Sequence, residues 1–203
     1  MNDTNKSVMM VLLMVFSSLL AGYSPTVEAA QVVITDAVQV VDGGQVNDRM
    51  ASVDSDADGN IHIVWSRNTQ HLYYSMLDAR AQTIIDATQI SNTGAHRAWH
   101  PDIEVDSSGK VHVSWTNTAG QYAIMYTLID PSLHAQDGSP GDDTVISIID
   151  DTVVSQRNQD RDWPAIAVDS FGSVHIVWED AYEQLGKYYQ QPQIYYSMLD
   201  IDL

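Results

Sequence analysis

An all-β fold of stacked, four-stranded repeat units is predicted by three features of the chain. One pattern is written three times: Val53-Asp54-Ser55 through Ile61-His62-Ile63-Val64-Trp65, Val105-Asp106 through Trp115, and Val168-Asp169 through Trp178. Each copy divides into short alternating runs separated by Asp, Ser and Gly, the punctuation of strands and hairpins. Both sides of the central strand carry residues suited to burial, with Val111, Val113 and Trp115 on one side and His112 and Ser114 on the other. A unit of about 50 residues with two such faces cannot bury itself and must stack on its own copies.

The elements follow in order. Each unit opens on an outer strand, at Ala37 to Val41, Ala87 to Ser91 or Thr152 to Ser155, and continues into a strand ending in Val-Asp. Asp106-Ser107-Ser108-Gly109 and Asp169-Ser170-Phe171-Gly172 are turns, with Asp capping the first position and Gly taking the left-handed conformation. The first copy reads as the same turn lengthened by two residues. The Trp-bearing strand comes next, and Leu72 to Asp78, Ile124 to Asp130 and Ile194 to Asp200 form the last strand of each unit. Excess length between Trp115 and Trp178 falls in Pro131 to Asp143, an insertion loop. Sheets covered on both sides and set side by side are the blades of a β-propeller. The expectation is therefore three four-stranded blades, in units 31–78, 79–130 and 131–203. Three blades do not close a ring. Either the first strand completes the last blade in an assembly such as a homodimer of six blades, or the chain is part of a longer propeller.

Residues 1–30 read as a secretory signal: Lys6 in a polar start, an apolar run from Val8 to Ala21, and Val27-Glu28-Ala29 placed for cleavage before Ala30 or Gln31. Asp3 offsets Lys6, so an uncleaved anchor is the other reading. Cleavage predicts a secreted chain, extracellular, periplasmic or on the cell surface, with no membrane span left. The net charge of −18 makes nucleic acid and anionic lipid poor partners. There is no cysteine, so an exported chain must hold together by packing alone.

The run Pro-x-Ile-x-Val-Asp-Ser-x-Gly-x-Val-His-Val-x-Trp at Pro101 to Trp115, and its counterpart at Pro164 to Trp178, resembles the repeats of secreted sialidase-like (BNR-like) propellers. The Ile-Tyr-Tyr-Ser strand supports the resemblance, which covers nearly the whole chain after residue 30. A similarity to NHL-type repeats ends before the Trp. The family's Asp-box sets its aromatic three residues after the Gly. Here the Trp comes later, so the resemblance implies the architecture and not the activity.

Three constellations carry candidate chemistry. Asp54, Asp56 and Asp58 with Gly59 occupy positions 1, 3, 5 and 6 of a calcium-type loop and resemble calcium hairpins on some propellers, although positions 9 and 12 are His62 and Trp65. An ordinary acidic hairpin tip is the alternative. His62, His112 and His175 share a register and read as hydrogen-bonded packing elements rather than a metal ring. Arg49, Arg97 and Arg161 precede the Val-Asp strand in all three units, and the resemblance invites comparison with a carboxylate-binding arginine triad. Their unequal spacing points to structural ion pairs with acids such as Asp48, Asp160 or Asp162. Arg97 with Trp99, and Arg161 with Trp163, are the candidate ligand-binding residues, because an aromatic beside Arg suits a sugar ring. The expected function is a secreted, non-catalytic module that recognises carbohydrate or another extracellular macromolecule. A fragment of a sialidase-like glycoside hydrolase and a structural surface-layer element are the alternatives.

Overall fold

The computed structural model describes residues 36–42, 44–91, 97–119, 122–134, 146–155, 160–181, 183–184, 187–188 and 193–201, without side-chain detail at 146–147, 160–161 and 181–188. The chain divides into two units, Met1–Ala37 and Val38–Leu203. The proposed signal segment lies outside the described residues.

The second unit is built of strands β1 (Asp48–Ser55), β2 (Ile61–Arg67), β3 (His71–Leu77), β4 (Thr83–Gln89), β5 (Ala98–Val105), β6 (Val111–Asn117), β7 (Ala123–Asp130), β8 (Ile146–Val153), β9 (Asp160–Val168), β10 (Val174–Ala181), β11 (Glu183–Gln184), β12 (Lys187–Tyr188) and β13 (Gln193–Leu199). β1-β2-β3-β4 and β5-β6-β7-β8 form the first and second sheets, β9, β10 and β13 form the third, and β11 pairs with β12. All pairings are antiparallel. Meandering sheets of this order, stacked in sequence, are propeller blades.

Two expected features are corrected. Residues 36–41 form no strand, and Val38 is exposed, because the alternation of Val38 and Val40 meets no sheet edge among the described residues. The outer strands β4 and β8 close the blade before them rather than opening the next, since Tyr74 pairs with Thr88 and Tyr126 with Thr152. A short turn at Asp78 delivers the chain there: its Oδ1 accepts from the N–H groups of Arg80 and Gln82. The inserted segment after Asp130 begins with a 3-10 turn at Pro131–Leu133, and residues 135–143 of the predicted loop lie outside the described residues.

Alternation along each strand gives every blade two apolar faces, and stacking buries them in pairs. Val64, Leu72, Tyr74 and Ile85 of the first blade meet Ile103, Val113 and Trp115 of the second. Ile124, Tyr126 and Leu128 of the second meet Ile166, Val174, Ile176 and Trp178 of the third. Each fully buried side chain of this size stabilises the stack by about 1.5–3 kcal/mol.

The three Trp-strand hairpins have one geometry. Ser55 pairs with Ile61, Val105 with Val111 and Val168 with Val174, so the first turn carries no two-residue insertion. Asp56, not Asp54, is the counterpart of Asp106 and Asp169. Its Oδ1 accepts from the N–H groups of Asp58 and Asn60, as Asp106 does from Ser108 and Lys110 and Asp169 from Phe171 and Ser173. Gly59, Gly109 and Gly172 close the turns at φ +82, +83 and +87, a region that costs an L-residue with a side chain.

The second oxygen of each Asp reaches the repeated histidine. Asp56, Asp106 and Asp169 Oδ2 lie 3.3 Å from Nε2 of His62, His112 and His175. The other ring nitrogen meets the hydroxyl of Tyr74, Tyr126 or Tyr196 at 2.8, 2.8 and 2.9 Å. A neutral ring donating from Nε2 and accepting the tyrosine O–H at Nδ1 satisfies both partners. Burial lowers the pKa of His62 and His112, with their Asp partners opposing it in part. Burial likewise raises those of Tyr74 and Tyr126. His62 and His112 are packing elements buried between blades, while His175 makes the same two contacts part-exposed on the third blade.

Candidate functional site

Among the described residues the first strand of each blade, β1, β5 or β9, has a free edge, and β5 packs beside both β1 and β9. Carboxylates on one satisfy backbone donors on the next. Asp54 Oδ2 accepts from the N–H of Val105 at 2.7 Å, and Asp102 Oδ2 from Ile166 at 3.0 Å while its Oδ1 takes the Ser52 hydroxyl at 2.8 Å. These acids are structural anions that cap an otherwise unpaired edge.

Near its start each of these strands carries a β-bulge. Met50 and Ala51 oppose Trp65, His100 and Pro101 oppose Trp115, and Trp163 and Pro164 oppose Trp178. The leading bulge residue has positive φ in every blade: 56° at Met50, 45° at His100 and 49° at Trp163. A left-handed conformation at a bulky residue costs of order 1–3 kcal/mol, and bulges re-aim side chains beside functional sites.

The bulge residues converge. The His100 N–H contacts Met50 Sδ at 3.5 Å, and the His100 ring lies 5.0 Å from that of Trp163 and 5.7 Å, edge-on, from Trp99. His100 Nδ1 is 2.6 Å from Asp162 Oδ1, which also accepts from the Trp163 N–H at 2.9 Å and from Thr116 Oγ1 at 3.2 Å. Asp162 Oδ2 and His100 Nε2 have no hydrogen-bond partner among the described residues. Trp163 is 57% exposed. The result is a ledge on which an aromatic face, a carboxylate oxygen and an imidazole nitrogen stand together, able to stack on a ring and hydrogen-bond its hydroxyls.

Of the residues singled out from the sequence, Trp163 stands on this ledge and half-buried Trp99 flanks it. The two are not equivalent, because Trp99 pairs with Thr116 ahead of the bulge while Trp163 is the bulge residue itself. Arg97 is exposed just before β5, where its N–H and C=O bond Asn117 and Thr118. Arg161 pairs with Asp180 through the β9 backbone, and its side chain is outside the described residues. Arg49, Arg97 and Arg161 occupy three successive register positions. The acid at position 48 belongs to Arg67, whose guanidinium grips Asp48 at 2.7 and 2.9 Å and stacks 4.2 Å over Tyr73. His100 was not singled out in the sequence, and Asp162, expected there as an ion-pair partner of an arginine, meets His100 instead. Aligning Trp99-His100-Pro101 with Trp163-Pro164 on the prolines exposes the shift.

Asp54, Asp56 and Asp58 do not fit a calcium site. Asp54 points to the second blade and Asp56 is spent on its own turn and on His62. Among the described residues no group of three acidic or histidine side chains is arranged to hold a metal ion. Burial would raise the Asp56 carboxyl, but hydrogen bonds from Asn60 and His62 outweigh it and keep it low.

The fold is that of a β-propeller-type repeat protein, with the exposed aromatic ledge near the start of the first strands of its second and third blades. No protein-family model matches the chain, and no curated protein matches it. Among solved structures it is similar to the endo-arabinase from Bacteroides thetaiotaomicron VPI-5482, with 15% identity, 76% of this chain and 57% of that one covered, and a TM-score of 0.46. It is also similar to the intramolecular trans-sialidase from Ruminococcus gnavus, with 14% identity, coverage of 74% and 32%, and a TM-score of 0.45. The exo-1,5-α-L-arabinanase from a bovine ruminal metagenomic library gives 12%, 72% and 54%, and 0.38. The match covers between 32% and 57% of these proteins' own length.

Proposed function

We propose that the chain is an exported, non-catalytic module that binds carbohydrate on the ledge of Trp163, His100 and Asp162. The observation that carries this reading is Trp163: a large aromatic held in a left-handed backbone conformation, more than half exposed, beside polar atoms with spare hydrogen-bonding capacity. Stacking on an aromatic face and hydrogen bonding to a carboxylate are the two contacts a sugar ring asks for. Export rests on the apolar run from Val8 to Ala21 and the small residues after it. Mass spectrometry of the purified protein's N-terminus tests it.

The binding test is a glycan array followed by calorimetric titration with the best soluble oligosaccharide. Trp163→Ala weakens binding about tenfold, in line with the loss of one ring stack. Phe171→Ala is the control, since Phe171 is 93% exposed on a hairpin tip at the other end of the strands. Equal affinity in the wild type and Trp163→Ala removes the ledge from the reading.

One observation favours a second reading, a glycoside hydrolase. Burial first, and then the charges of Asp54 and Asp102, raise the pKa of Glu104, the direction a general acid needs. Against it, Asp54 and Asp102 commit their oxygens to backbone and hydroxyl donors. Turnover of aryl glycosides that vanishes in Glu104→Gln would favour the hydrolase.

A further inference from the structure

Among the described residues the stack of blades leaves two faces open, and they are the two halves of the interface it has already made twice. On the third blade, Val177, Ile194, Tyr196 and Met198 are 38, 71, 58 and 55% exposed. The counterparts of Tyr196 in the earlier blades, Tyr74 and Tyr126, pair with Val64 and Ser114 in the same register and are fully buried against the next blade. On the first blade, Val53 is 62% exposed, whereas its counterparts Ile103 and Ile166 are 4 and 8% exposed beneath the preceding blade. Ile61 and Ile63, partly exposed, continue that face as Val111 and Val113 do in the second blade.

The charges at these faces are matched as well. Where the second blade meets the third, Thr116 donates to Asp162 across the junction at 3.2 Å. The residue in the Thr116 register on the third blade is Glu179, and the residue in the Asp162 register on the first blade is exposed Arg49. Repeating the junction once more sets an acid against an arginine.

We propose that the open face of the third blade docks on the open face of the first blade of a second copy of this chain. The same contact made in return closes a head-to-tail pair. Six blades then stand around one axis, within the four to eight that propellers use. The contact is heterologous, and it closes because two copies exhaust both faces. It also brings Met50 of the second copy up to Trp163, as the bulge residues His100 and Trp163 of successive blades meet within the chain, and a thioether beside an indole is a favourable neighbour. Docking does not depend on whether the ledge binds sugar.

Sedimentation velocity and light scattering of the full chain at about 1–100 µM test the proposal. The expected mass is that of two chains. Ile194→Asp, at a surface position, gives a single-chain mass while retaining the wild-type circular dichroism. Arg49→Glu and Glu179→Arg each weaken association about tenfold. Combining the two reversals restores it to within about threefold. A single-chain mass for the wild type, an open-ended polymer, a dimer indifferent to Ile194→Asp, or reversals that fail to rescue one another would each overturn the proposal.

Discussion

A single aspartate per repeat, Asp56, Asp106 or Asp169, ties a hairpin turn to a histidine ring, buried in the first two blades and part-exposed in the third, by using one oxygen on backbone N–H groups and the other on the imidazole. In His62 and His112 this has a consequence for acid stability. The unfolded rings take up protons near pH 6.5. The folded rings take them up only at lower pH, because burial opposes the charge. Between those values the unfolded chain binds more protons, so stability is full above about pH 6.5 and falls as the pH drops toward the folded values. Asp56 and Asp106 are held below their usual value of 3.8 by hydrogen bonds that outweigh burial, which adds a second loss below about pH 4. Urea unfolding at pH 7.5, 5.5 and 3.5 should show both steps. The first should shrink in His112→Gln. The relay was half legible: the shared His register was plain, but its tyrosine comes from a neighbouring strand and its aspartate in the first repeat was masked by Asp54 two residues earlier.

Turns and bulges, at the scale of the element, decide where side chains point. Gly109 has φ +83 and nothing within 4 Å of where a Cβ would stand, so a substitution there is penalised by backbone conformation alone. Gly109→Ala should cost about 1–2 kcal/mol and Gly109→Asn distinctly less, read from urea midpoints. The Asp-x-x-Gly turn could be read from the chain because its chemistry is local. The bulges could not: nothing in Met50, His100 or Trp163 announces a left-handed backbone, since it is imposed by the offset between paired strands. The spacing of Arg97 to Trp99 and of Arg161 to Trp163 is the same, yet the bulge falls one residue later after Trp99 than it does at Trp163. That shift separates two tryptophans that look alike in the sequence.

Across the whole molecule, two buried seams join three blades, and two further half-seams face outward. If a second copy completes them, unfolding is coupled to association and its midpoint rises with concentration. Thermal unfolding at about 1 and 100 µM should then differ by several degrees, and Ile194→Asp should remove the difference. The number of blades, the hairpin turns of the second and third repeats and the two-faced strands follow from the sequence by itself, because strand alternation and turn chemistry depend on near neighbours. Which acids cap a strand edge, which residue stands on the ledge and which faces are left open were decided only in the tertiary structure. Those contacts join Asp54 to Val105, Asp102 to Ile166 and His100 to Asp162, residues 51, 64 and 62 positions apart, and they arise from how one blade lies on the next.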